Sequence, residues 1–187
     1  MSESLVWAHY LQDDLITFRP PEESDATQSL EWHESLLPLT ATQVLDSLKE
    51  TETVSWGGAP MVRLIAGTVA SGEIVGGVKI AGHDHRVETL SITPARSLPP
   101  DQQRSMAVRM LRIVLPWLID ECAVASVILR LPDDHEHMID AADELGFQRV
   151  ATYREHLLRP QGHIDQHIYQ LMNPKWTLKR AEGASNE

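Results

Sequence analysis

The alternation of apolar and polar residues divides the chain into short elements. Leu15-Ile16-Thr17-Phe18-Arg19 reads as a strand, stopped by Pro20-Pro21 because proline offers no amide hydrogen to a sheet ladder. Ala26, Leu30, His33 or Glu34, and Leu37 then recur at helical spacing, with Ser24 and Asp25 placed as caps. A second helix is predicted over Thr42–Lys49, burying Val44, Leu45 and Leu48, and Trp56-Gly57-Gly58-Ala59-Pro60 breaks the pattern. Two β-rich runs, Met61–Val69 and Glu73–Ala81, are joined by Ala70-Ser71-Gly72 as a hairpin. Gly76-Gly77 inside the second run marks a bulge or a close backbone approach. A third run, Arg86–Thr93, alternates and ends at Pro94, so the first half reads as an antiparallel meander.

The period then changes. Met106, Met110, Ile113, Val114, Trp117 and Leu118 repeat at three and four, while Arg109, Arg112 and Asp120 share the other face of an amphipathic helix. Pro116 falls near the polar side, where solvent can satisfy the carbonyl it frees. Ala125–Leu131 follows as an apolar, β-branched strand. Strand, long helix and strand form a crossover unit, so these two strands are expected to be parallel. Asp133 and Glu136 resemble a capping box with the aspartate as cap. Met138, Ile139, Ala142 and Leu145 form the buried stripe of that helix, and Gly146 suits its left-handed terminator. Phe147–Arg159 and His163–Met172 read as a long hairpin turning through Arg159-Pro160-Gln161-Gly162. The fold class is α+β. Residues 1–14 read as an extension, 15–173 as one domain and 174–187 as a polar tail, with Trp176 able to fold back.

Composition narrows the function classes. A chain of 187 residues, 42% apolar and 23% charged, suits one ordinary globular domain. The single cysteine, Cys122, cannot form an internal disulfide, and together with the absence of a signal-like start it makes a cytoplasmic location the expectation. No stretch approaches the ~20 apolar residues of a membrane span, so no membrane partner is expected. The net charge of −11, without clustered Lys or Arg, argues against nucleic acid and is compatible with a cationic substrate drawn to an acidic cleft.

Candidate chemistry concentrates between Thr93 and the long helix. A strand ending just before a helix start presents amides that the helix cannot use, and these favour a phosphate. Ser105 and Ala107 are small enough for a close approach, although no Walker-type or G-x-G-x-x-G pattern is present. His163, Asp165 and His167 alternate along one strand and share a face, which suits a metal or a substrate amine. His83, Asp84 and His85 fall in an expected turn.

Several pieces, taken in order, resemble the GNAT superfamily of acetyl-CoA-dependent N-acetyltransferases, most closely its ribosomal-protein branch. They are Thr17-Phe18-Arg19-Pro20 before Asp25-Ala26, Gly72-Glu73-Ile74-Val75-Gly76-Gly77, Gln102-Gln103-Arg104-Ser105-Met106-Ala107, Asp143-Glu144-Leu145-Gly146-Phe147, Tyr153-Arg154-Glu155, and Gly162-His163-Ile164-Asp165 leading to Tyr169. The resemblance spans Ile16 to Asn173. It implies a mixed, mostly antiparallel sheet with helices on both faces and a central parallel pair splayed apart. Acetyl-CoA would enter the gap, its pantetheine arm beside Ser91, Ile92 and Thr93 and its pyrophosphate on amides from Gln103 to Ala107. The family pattern Q/R-x-x-G-x-G/A finds Gln102 and Ala107 here, with Ser105 in place of the first glycine. By the same resemblance the reaction is direct attack of a primary amine, from a protein N-terminus or a small molecule, on the thioester. Glu88 stands where such enzymes often carry a glutamate base, and His135 within reach of the cofactor. The positions of the family's acidic tyrosine, asparagine and serine hold Ala142, His135 and Met138, and these departures, with Ser105, keep open a catalytically weak or inactive acyl-CoA-binding or regulatory module. The acceptor pocket would involve Trp32, Tyr153, Glu155 and Asp165. The resemblance accounts for Asp165 and Tyr169 without a metal, so none is expected. A homodimer is compatible with it.

Overall fold

A computed structural model describes residues 11–33, 39–52, 61–82 and 86–176. The Trp56–Pro60 break, the His83–His85 turn, Glu34, Leu37 and the tail beyond Trp176 lie outside these residues, as does the side chain of Leu48.

Among the described residues seven strands form one sheet in the order β1-β2-β3-β4-β5-β7-β6. They are β1 (Ile16–Arg19), β2 (Met61–Thr68), β3 (Ile74–Gly82), β4 (Val87–Pro94), β5 (Ser126–Pro132), β6 (Gln148–Arg159) and β7 (Gly162–Met172). Every pairing is antiparallel except β4 with β5, the parallel pair that the crossover pattern requires. Between those strands run α2 (Pro100–Pro116) and a widened π turn, Trp117–Glu121. The exposed Pro116 stands at their junction, and Cys122 bonds back five residues to the Trp117 carbonyl. Helix α3 (Glu136–Glu144) follows β5, and Gly146 ends it at φ +80°.

The main core lies on the face covered by α2 and α3. Leu90, Leu129, Met110, Leu111 and Met138 meet there, each at most 1% exposed. Leu11 also reaches this core, and Asp13 and Asp14 both pair with Arg109 of α2, so residues 11–14 pack onto the domain. At the other end Asn173 donates to the Ile119 and Val124 carbonyls, and Trp176 folds back to donate to the Ala123 carbonyl. A smaller cluster on the opposite face joins Ala26, Trp32, Ile65 and Ile74 to Val44 of α1 (Ala41–Glu52).

Two sequence expectations need correction. The segment after β1 is a 3₁₀ helix, Glu23–Glu31, kinked at Gln28, and Leu30 is exposed rather than buried. Asp25 explains the geometry. Its buried carboxylate accepts bonds from both terminal nitrogens of the Arg19 guanidinium (2.7 and 2.8 Å) and from the Glu22 amide (2.7 Å), which tightens the turn. Arg19 thereby holds the Asp25 carboxyl below the usual carboxylate range. Trp32 then lies against β3, where a Cβ on Gly77 would stand 2.2 Å from the Trp32 carbonyl oxygen. That is the close approach the glycine pair announced. The second correction concerns α3. His135, not Asp133, occupies its cap position, because Asp133 is engaged with His167 across the strands (2.9 Å).

Candidate functional site: a wedge between two parallel strands

The β4–β5 ladder is short. It runs from Val87–Ser126 to Leu90–Leu129 and stops. Both strands continue, each held from behind: β4 pairs with β3 as far as Pro94, and β5 pairs with β7 as far as Pro132. Ser91–Pro94 and Arg130–Pro132 therefore face each other across a gap without ladder partners, leaving backbone groups for a ligand to satisfy.

A cavity of about 460 Å³ fills this opening. Leu90, Ile92, Leu131 and Met138 supply an apolar wall on the side of α2 and α3. Ser91, Thr93 and Arg130 alternate onto the other face of the sheet. The lining therefore passes through the sheet rather than lying on one surface. Of the residues singled out by sequence, Ser91, Ile92, Thr93, Gln103 and His135 line it.

The remaining candidates lie elsewhere. Glu88 belongs to the zipped part of the ladder, beside Val127, with its carboxylate oxygens against Gly82. Its negative charge helps burial to push up the Cys122 thiol, and it does not line the cavity. Trp32 is buried in the smaller core, its ring nitrogen donating to the Asp25 carbonyl. Tyr153 and Glu155 sit on the exposed edge strand β6, where a bulge leaves Glu155 at φ +49° and its amide donating to Asp165 (2.8 Å). Asp165 thus secures a bulge. His167 is held between Asp133 and Thr152, at 2.9 and 3.1 Å. Among the described residues no group of three His, Cys, Asp or Glu is placed to hold a metal. Tyr169 is buried in the main core, and burial raises its phenol pKa.

Among the polar lining residues, four were missed: Arg96, Arg130, His137 and Arg159. Arg130 had a signal, a lone charge inside the apolar run Ser126–Leu131. His137 stacks on His135 with ring centroids 5.9 Å apart. Burial, aided by the neighbouring His135, lowers its pKa and favours the neutral imidazole. Asp134 holds Arg159 by two bonds, 2.7 and 3.2 Å. Among the described residues no carboxylate lines the cavity, so these residues do not make it the acidic cleft considered from net charge.

No protein-family model and no curated protein sequence matches the chain. Solved structures do. A GNAT-family acetyltransferase from Bacillus anthracis superposes with a TM-score of 0.69 at 9% identity, covering 87% of this chain and 98% of that one. A ribosomal-protein-S5-alanine acetyltransferase from Vibrio fischeri gives 0.68 at 13%, covering 88% and 97%. The spermidine/spermine N-acetyltransferase SpeG from Vibrio cholerae, solved with manganese ions, gives 0.68 at 15%, covering 88% and 96%. The chain has the GNAT fold.

One part of the chain fits the acyl carrier of GNAT enzymes and one part does not. The open edges of β4 and β5 suit an extended pantetheine arm, whose amides can take the bonds the ladder leaves unmade. The start of α2 does not suit a diphosphate. Pro99 and Pro100 occupy its cap and first position and carry no N–H, and the Gln103 amide already bonds to the Pro99 carbonyl (2.8 Å). Only Asp101 and Gln102 retain free first-turn amides, beside the Asp101 carboxylate. Arg104 turns to Glu144 and Asp140 of α3, Ser105 bonds the Gln102 carbonyl, Ala107 is buried in the core, and Ser105 with Met106 faces a separate hollow beside Asp13 and Leu15. The expected cradle from Gln103 to Ala107 is therefore helix interior.

Proposed function

We propose that the protein is an N-acetyltransferase that transfers an acetyl group from acetyl-CoA to a primary amine, either a protein N-terminus or a small molecule. The wedge carries this reading: two parallel strands part after Leu90 and Leu129 and leave a through-sheet cavity lined by unpaired backbone. The acetyl group is supplied as a thioester, whose carbonyl a neutral amine attacks while the thiolate departs. Ser91–Pro94 and Arg130–Pro132 offer the backbone donors and acceptors that align the arm. Ile92, Leu131 and Met138 exclude water from one side. His137, kept neutral by burial, accepts the amine proton at its imidazole, a role its place in the lining supports better than that of Glu88.

Mixing purified protein with acetyl-CoA and a panel of peptide N-termini, polyamines and amino sugars tests this directly. Thiol release that depends on one class of amine is the expected result; none across the panel would remove the transferase. A second reading, an acyl-CoA-binding module without turnover, is favoured by the buried Met138 and Ala142, which offer no acid where the resemblance places a serine and a tyrosine. Calorimetry showing CoA binding without turnover would select it.

A further inference from the structure

The cavity is positive in a protein that is strongly negative. Against a net charge of −11, the described residues of its lining include Arg96, Arg130 and Arg159 and no carboxylate. Arg159 is committed to Asp134, but no carboxylate among the described residues pairs with Arg96 or Arg130. The two arise from opposite lips of the opening. Arg130 is the first β5 residue beyond the last ladder pair, Leu90–Leu129, and Arg96 follows the end of β4 at Pro94 by two residues. Two guanidiniums without a carboxylate partner thus line one opening, and guanidinium geometry suits phosphate oxygens taken in pairs.

At the start of α2, meanwhile, the prolines have removed two of the four donors and Asp101 adds a repelling charge. We infer that Arg96 and Arg130 form a phosphate clamp across the mouth of the wedge, holding the diphosphate of an acyl-CoA in place of the helix amides. The inference rests on the acyl-CoA reading above. It moves the phosphates from the helix start to the strand ends, so the carrier enters over the lips of β4 and β5. Both arginines are exposed, so replacing them leaves the core untouched.

Calorimetric titration of the full chain with CoA and with pantetheine, which shares the arm but lacks the phosphates, tests the clamp. In the wild type CoA binds more tightly than pantetheine, and raised salt narrows the difference. The double variant Arg96→Gln/Arg130→Gln is expected to lose about tenfold or more in CoA affinity, to keep pantetheine affinity, and to show a flatter salt dependence. Asp101→Asn is expected to leave CoA affinity within about twofold, since the phosphates lie away from the helix start. CoA affinity that survives the double variant, or a large gain from Asp101→Asn, would overturn the clamp while leaving the acyl-CoA reading intact. A wild type that binds neither CoA nor pantetheine would overturn both.

Discussion

Strand β4 has two halves with opposite tasks. From Glu88 to Leu90 it is laddered on both sides, to β3 and to β5, and its Leu90 is 1% exposed. From Ser91 to Pro94 it keeps only β3, and its other edge faces a cavity. Both halves alternate polar with apolar residues, Glu88 and Thr89 with Leu90 in one, Ser91 and Thr93 with Ile92 in the other. What changes is whether the neighbouring strand follows. The lesson is that a binding edge can be made from an ordinary strand by drawing its partner away, provided each strand remains pinned from behind.

Substitutions along β5 test this contrast most strongly. Leu129 and Leu131 lie on one face of that strand, one beside the closed ladder and one in the cavity wall. Leu129→Ala is expected to cost about 2–5 kcal/mol of stability by urea denaturation, since it opens a void among fully packed neighbours. Leu131→Ala should cost distinctly less, because one side of Leu131 already faces open space. Equal costs would mean that the wedge is packed shut.

Catalysis offers the next contrast, between Glu88 in the closed half and His137 at the open end. His137→Gln is expected to lower kcat about a hundredfold near neutral pH, whereas Glu88→Gln stays within about twofold. The pH profile carries a sign. Burial lowers the His137 pKa from its ordinary 6.5, so the proton-accepting form is present above that lowered value and lost as pH falls through it. The acid limb of kcat/KM should thus lie below pH 6.5 and disappear in His137→Gln. A large loss in Glu88→Gln, with His137→Gln unaffected, would transfer the base to the closed half.

The smallest expected effect is at the rim. Asp134 neutralises Arg159 from outside the cavity lining. Asp134→Asn should tighten CoA binding by about two- to fivefold at low salt and leave pantetheine binding unchanged. Weaker CoA binding would indicate that Asp134 positions Arg159 for the ligand.

Much of the fold was legible because periodicity reports burial. Alternation located the meander, three-and-four spacing located α2 and α3, and the crossover rule made β4 and β5 parallel. The start of α2 was misjudged even though Pro99-Pro100 carried the information, since proline is favoured at the first helical position. The apolar stripe beginning at Met106 said nothing about the exposed first turn. The same limit explains Trp32, Tyr153 and Asp165. Residue type and order marked them as interesting, while the structure packs Trp32 against β3 and ties Tyr153 and Asp165 to a bulge in β6.

By itself the sequence determined the elements, most of their boundaries and the parallel central pair, because each follows from local patterns of burial and backbone chemistry. The tertiary structure alone decided which residues share the cavity. Arg96, Arg130, His137 and Arg159 come from four separate segments, and they meet only where two strands part. No local pattern encodes that meeting, because the gap depends on β3 and β7 holding β4 and β5 from behind.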